Sequence, residues 1–126
     1  MMRLGFVAIG ALVLATAATA ATGQTGEQGR YADQLRAMFT AVAGGTCPEN
    51  LMGAGLLDAC RQQLPQMAPA LKAAGPVRSM AFDKAEDANG QRYEKYTVTF
   101  TNGKPTTWVI GALKDGKFEA VYSPGD

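Results

Sequence analysis

The residues with most chemical scope in this sequence are three carboxylates and two cysteines: Asp33, Glu94, Glu119, Cys47 and Cys60. A carboxylate on the floor of an apolar pocket loses hydration, its pKa rises, and it can then act as a general acid or base. The neighbours of these three argue for water instead. Asp33 stands off the apolar stripe of its segment, and Glu94 and Glu119 lie beside Lys95 and Lys117, as solvated strand ends do. Proton transfer by one of them, or by a desolvated tyrosine, is the alternative. Nucleophilic catalysis has less to work with. The chain has no histidine, which removes Ser-His-Asp and Cys-His arrangements. Its serines are Ser79 and Ser123, in neither a Ser-x-x-Lys nor a Gly-x-Ser-x-Gly setting.

Phosphate and metal motifs are equally thin, and the sequence implies no cofactor and no metal site. "GTCPENLMGAG" is glycine-rich but lacks the Gly-Lys-Ser/Thr end of a phosphate loop. "FDKAEDANG" groups Asp83, Glu86, Asp87 and Asn89 without the order of a calcium loop, and reads as a solvated hairpin. Cys47 and Cys60 are too far apart for a Cys-x-x-Cys redox pair, and no histidine completes a metal shell. An even cysteine count in an exported chain predicts a disulfide.

Export is expected from residues 1–20, "MMRLGFVAIGALVLATAATA". One positive charge (Arg3) precedes an apolar stretch and a small-residue tail, and Ala18-Thr19-Ala20 fits a signal-peptidase site. Cleavage after Ala20 would leave a polar, flexible leader at 21–28, a single domain at 29–125, and no membrane insertion. The expected location is the bacterial periplasm or the outside of the cell. Without Arg3 the basic side chains number eleven, equal to the eleven acidic ones, and they are scattered. That balance disfavours nucleic acid, whose binding depends on phosphate neutralisation.

The elements that must position any site follow from periodicity. Tyr31, Leu35, Met38, Phe39 and Val42 recur at steps of three and four, the stripe of an amphipathic helix, and Gly44-Gly45 ends it. Residues 46–75 are helical in character, but Pro65 and Pro69 predict two short helices or a kinked one. Beyond Gly75-Pro76 the period changes to two. Four strands follow, separated by turn residues at 87–90, 102–104 and 114–116. The expected class is α+β, with N-terminal helices packed on a four-stranded antiparallel meander.

The stretch from Arg61 to Gly125 resembles a known module. The resemblance is carried by Arg61-Gln62-Gln63-Leu64, by Gly75-Pro76 followed by Ser79 and Phe82, and by Tyr96-x-Val98-x-Phe100-x-Asn102-Gly103. Trp108-x-Ile110 and Asp115-Gly116-Lys117 complete it. This ordered set is similar to the small domain found beside bacterial secreted serine hydrolases of the β-lactamase-like and α/β-hydrolase types, which also occurs as a free-standing exported protein. The resemblance implies an NTF2-like or cystatin-like fold, and a partner that is a cell-envelope protein or a small apolar ligand. No hydrolase motif falls in the stretch, so no catalytic activity follows from it.

The aromatic residues Tyr31, Phe39, Phe82, Tyr96, Phe100, Trp108 and Phe118 have two readings. They fill the core between helix and sheet, or some of them line an apolar pocket at the open end of the sheet. The expected function is a non-enzymatic binding or accessory module. Its alternatives are an NTF2-like enzyme and an interaction or inhibitor module docking through a sheet edge.

Overall fold

The computed structural model describes residues 29–125. The expected signal peptide and leader lie outside the described residues. Two helices, α1 (Ala32–Ala43) and α2 (Ala54–Ala74), precede four strands: β1 (Val77–Ala88), β2 (Gln91–Phe100), β3 (Thr106–Lys114) and β4 (Lys117–Tyr122). The strands form one antiparallel sheet in the order β1-β2-β3-β4 with the helices packed against it, the α+β meander expected.

Turn chemistry sets this topology. Asn89-Gly90 and Asp115-Gly116 all have positive φ, between 53° and 81°, as two-residue hairpins require. Central strand β3 buries both faces, with Val109 on one and Ile110 on the other, which explains its unalternating sequence. At Gly111 the chains of β2 and β3 come so close that a Cβ would stand 2.6 Å from the Arg92 carbonyl oxygen and 2.7 Å from the Tyr93 Cα. Only glycine fits there.

Helix α1 lays Leu35, Met38, Phe39 and Val42 on the sheet, where they meet Tyr96, Val98, Phe100, Ile110 and Phe118. Each large apolar side chain buried this way contributes about 1.5–3 kcal/mol. Edge-on ring contacts lock the layer: Tyr31 on Phe118 at 4.9 Å, Phe39 on Phe100 at 5.1 Å, and Phe82 on Tyr96 at 5.6 Å.

The second helical region differs from expectation. Residues 46–53 form turns, and α2 then runs unbroken for 21 residues with Pro65 and Pro69 inside it. Each proline leaves one helical carbonyl without its amide donor. Both prolines are exposed, so the orphaned carbonyls have water at hand. The remaining Leu, Ala, Gln, Met and Arg residues are good helix formers, and tertiary contacts hold both ends. The Cys47–Cys60 disulfide ties the first half of α2 to the α1–α2 connection. At the other end Asn102 donates its backbone amide to the Ala74 carbonyl at 2.8 Å and its side-chain amide to the Ala73 carbonyl at 3.2 Å.

The two sheet edges are treated differently. Part of β4 is covered by residues 51–53: the Gly53 amide donates to the Phe118 carbonyl and the Phe118 amide to the Leu51 carbonyl, each at 2.8 Å. The outer edge of β1 has no strand partner among the described residues. It carries Arg78, Asp83, Lys84, Glu86 and Asp87, and its register shifts twice, between Val77 and Ser79 and between Phe82 and Lys84. Charges and irregularities of this kind discourage edge-to-edge pairing.

Candidate functional site

Two features on the helix side of the sheet carry the chemistry: a buried carboxylate at the start of α1, and an apolar cleft beside Trp108. Residues two apart on a strand share a face. Arg92, Glu94 and Tyr96 therefore all project with Val98 and Phe100 toward the helices. Glu94 is fully buried, contrary to the solvated strand end expected. The lysine beside it in sequence, Lys95, points to the opposite face. Period two, extended back from Tyr96, Val98 and Phe100, was the signal that places Glu94 inside.

Its carboxylate is saturated. The Arg30 amide donates to both oxygens at 3.0 and 2.9 Å, and the Tyr31 amide to Oε1 at 3.0 Å. The Tyr96 hydroxyl donates to Oε1 and the Arg92 Nε to Oε2, both at 2.6 Å. Helix α1 has no side-chain cap of its own. Glu94 holds the amides just ahead of its first turn and sets a negative charge at the positive end of its dipole. Burial pushes the Glu94 carboxyl up, but the bonds from Tyr96, Arg92, Arg30 and Tyr31 outweigh it and the net shift is downward. Burial, and then the bond to Glu94, holds the Tyr96 phenol well above its ordinary value. A carboxylate held ionised, with its lone pairs engaged, fastens α1 to the sheet and is poorly placed to exchange protons.

Of the other two acids, Asp33 is exposed in the first turn of α1. Glu119 is exposed on β4, with its carboxylate against Gly53 at the start of α2. Neither lines the cleft beside Trp108. Among the described residues no group of His, Cys, Asp or Glu is arranged to hold a metal ion.

The cleft has a volume of about 420 Å³ and opens between α1, α2 and the β3–β4 end of the sheet. Met38, Phe39 and Val42 of α1 and Met52 of the connection supply its inner wall. Leu56, Ala59, Cys60, Gln63, Met67 and Leu71 project from one face of α2, and Trp108, Val121, Tyr122 and Ser123 close the sheet side. The opening exists because α2 rests lightly on the core: of its 21 residues only Cys60 is buried. Its leucines and Met67 are half-buried, and of these Leu56, Met67 and Leu71 face the gap. Trp108 is half-buried too, edge-on to Phe39 at 4.9 Å. Its indole N–H donates to the Thr106 hydroxyl at 3.0 Å, so no unpaired polar group faces the cleft from the ring.

The seven aromatic residues thus divide. Phe39 and Trp108 line this cleft. Phe39 and Phe100 also line an adjoining 310 Å³ hollow between the C-terminal ends of the helices and the start of β1, which shares Leu71. Tyr31, Tyr96 and Phe118 are buried in the core, and Phe82 is half-buried against Tyr96. The lining residues missed in the sequence are mostly aliphatic or sulfur-containing, above all Met38, Met52 and Met67, with Gln63, Tyr122 and Ser123 beside them. A larger open groove of about 800 Å³ crosses the outer sheet face, bordered by Lys84, Glu86, Tyr93, Lys95 and Tyr122. Its lining mixes cationic and anionic side chains, Asp87 and Glu94 among them.

Comparison of the chain with family models, with curated proteins and with solved structures finds no match. The site's own geometry is therefore the basis for a functional reading. The disulfide points to an oxidising compartment rather than the cytosol. Among the described residues no helix is long and apolar enough to cross a membrane.

Proposed function

We propose that this protein is a non-enzymatic binding module that holds a small apolar ligand in the cleft beside Trp108, working in the bacterial periplasm or outside the cell. The observation that carries the reading is the cleft itself: 420 Å³ of largely apolar space, lined by no carboxylate, lysine or arginine. Volumes of this order suit small-molecule sites, which are apolar with a few polar groups at the margin. The flexible thioethers of Met38, Met52 and Met67 adapt to a guest's shape. The signal-like residues 1–20 and the disulfide favour an extracytoplasmic location. The resemblance to the accessory domain of secreted hydrolases favours an envelope setting and an NTF2-like or cystatin-like descent.

The enzyme alternative loses its best candidate, because Glu94 is ionised, saturated and away from the cleft. Docking through a sheet edge has little to favour it, since β1 is charged and irregular and β4 is partly covered. Trp108 is the sole tryptophan and reports on the site directly. Titration with the uncharged fluorophore N-phenyl-1-naphthylamine should give saturable one-to-one binding with energy transfer from Trp108. The Ala59→Trp variant, which fills the cleft from the α2 wall, should abolish it. Absence of saturable binding, or equal binding by the variant, would refute the reading.

A further inference from the structure

We propose that the groove on the outer face of the sheet is a second binding site, separate from the cleft, and that it takes an uncharged saccharide chain laid across Tyr93 and Tyr122. The strand registers set two rows of residues side by side on this face. Lys84, Lys95, Val109 and Tyr122 stand opposite one another from β1 to β4. The next row is Glu86, Tyr93, Gly111 and Ala120. All of these but Gly111 line the groove, with the small side chains of Val109 and Ala120 between the two tyrosines. Tyr93 leans over the bare glycine opposite it: a Cβ at Gly111 would stand 2.6 Å from the Tyr93 Cδ2. The ring thus covers backbone that has no side chain of its own. Tyr122, on the far side, is 49% exposed. From strand spacing and rise the two tyrosines are roughly 12 Å apart at the backbone. One sugar ring does not span that distance, so a chain of several is needed to meet both.

The class of guest follows from charge. Lys84 and Lys95 stand against Glu86 and Asp87, and the remaining carboxylate of the lining, Glu94, is paired with Arg92. A ligand of either sign therefore meets repulsion as well as attraction. A lysine ammonium only donates hydrogen bonds and a carboxylate only accepts them, whereas a sugar hydroxyl does both. A polyol satisfies such donors and acceptors set side by side, and each bond gains from its ionised partner. The rings suit the same guest, since an aromatic face is electron-rich and the C–H face of a pyranose is weakly positive. Lys95 supplies an independent observation. It lies directly opposite Lys84, and like charges so placed destabilise a sheet. Lys84 is paired with Glu86 at 3.0 Å, while the half-buried Lys95 has no ion pair among the described residues. Stability does not account for that placement; a hydrogen bond from Lys95 to a guest hydroxyl does.

Trp108 lies on the helix side of the sheet and does not report on this face, so the test follows backbone amide shifts in ¹H–¹⁵N spectra of the disulfide-intact protein. The probes are cellotetraose, maltotetraose and chitotetraose, their monosaccharides, and two charged chains, a heparin tetrasaccharide and a chitosan tetramer. At least one neutral tetrasaccharide should give saturable shifts centred on Tyr93, Lys95, Gly111 and Ala120, and bind about tenfold more tightly than its monosaccharide. Tyr93→Phe, which keeps the ring, should stay within about twofold. Tyr93→Ala and Lys95→Met should each lower affinity about tenfold, with far-UV circular dichroism confirming that both are folded. Absence of saturable shifts with all three neutral chains, or equal binding by folded Tyr93→Ala and Lys95→Met, would overturn the site. A charged chain binding this face more tightly than every neutral one would overturn the class of guest. Neither result touches the apolar cleft, which N-phenyl-1-naphthylamine tests separately.

Discussion

Replacing Glu94 by glutamine tests the claim that this carboxylate fastens α1 to the sheet. The substitution conserves shape and removes one charge. Four donors converge on the carboxylate: the Arg30 and Tyr31 amides, the Arg92 Nε and the Tyr96 hydroxyl. Glutamine accepts at one end only. With its NH₂ in the place of Oε2, it confronts Arg92 and Arg30; in the place of Oε1, it confronts Tyr31. Either way one of the short bonds to Glu94 is lost, costing about 1–3 kcal/mol, and Arg92 loses its 2.6 Å ion pair with this carboxylate. Breaking a buried ion pair from one side costs about 3–5 kcal/mol in all. The Arg92 side chain retains 16% exposure, which gives its charge some access to water. The lower end, about 3 kcal/mol, is therefore the expected loss.

A domain of this size has roughly 5–15 kcal/mol to lose, and each kcal/mol moves Tm by about 4–8 °C. Thermal unfolding followed by far-UV circular dichroism should show Tm lower by at least about 12 °C. The double variant Glu94→Met/Arg92→Met removes the charge problem but still leaves the Arg30 amide and the Tyr96 hydroxyl without the Glu94 acceptor, and the Tyr31 amide with only its 3.3 Å bond to the Tyr96 hydroxyl. It should recover only part of the loss. A Tm shift below about 4 °C for Glu94→Gln would mean the network contributes under roughly 1 kcal/mol, and the anchoring argument would be wrong.

Other consequences are open to measurement. Because the Glu94 carboxyl lies below 4.5 in the folded state, its contribution is complete above about pH 5 and falls as the pH drops through the folded value. Acid unfolding of Glu94→Gln should accordingly be shallower than that of the parent. The Tyr96 phenol is shifted the other way, so its contribution is complete below about pH 10 and is lost above it; Tyr96→Phe should flatten the alkaline limb in urea melts. Reducing the Cys47–Cys60 disulfide, which spans 13 residues, should lower stability by about 3 kcal/mol in denaturant titrations with and without reductant. Gly111→Ala should cost at least about 2 kcal/mol, since the added methyl meets the backbone of β2. Gly55→Ala, near the start of α2 with open space around it, should be neutral or gain up to about 1 kcal/mol.

Most of the fold was legible because it is local. Asn89-Gly90 and Asp115-Gly116 specify their hairpins, and the α1 stripe and the alternation of β2 choose the faces that meet. The disulfide was legible from cysteine count and compartment. Two features were not. Glu94 was misread because Lys95 beside it suggested solvent, whereas on a strand an adjacent residue reports on the other face. The donors that make its burial tolerable are the amides of Arg30 and Tyr31, more than sixty positions away, and backbone donors leave no mark on a sequence. The continuity of α2 was missed for a related reason. Proline penalties are local, while the restraints that overcome them come from Cys47 and Asn102, outside the helix. The cleft was legible only in part, since Trp108 marks it but its methionines look like any core residue.

The way the two helices are attached explains why a cleft forms where it does. Helix α1 is fixed along its whole length: Glu94 holds its start, and Leu35, Met38, Phe39 and Val42 are buried beneath it. Helix α2 is fastened at Cys60 and again at Ala73–Ala74, and between those points lie both prolines, the two missing hydrogen bonds and no buried side chain. A wall tied at its ends and slack in the middle can yield outward without unfolding the sheet. Met67, facing the cleft between Pro65 and Pro69, sits where that yielding is easiest. Catalysis asks for the opposite, reacting groups held rigidly on packed elements. The half of this domain fixed by α1 carries the charged network and the half under the loosely seated α2 carries the apolar space, the division on which the proposed binding function rests.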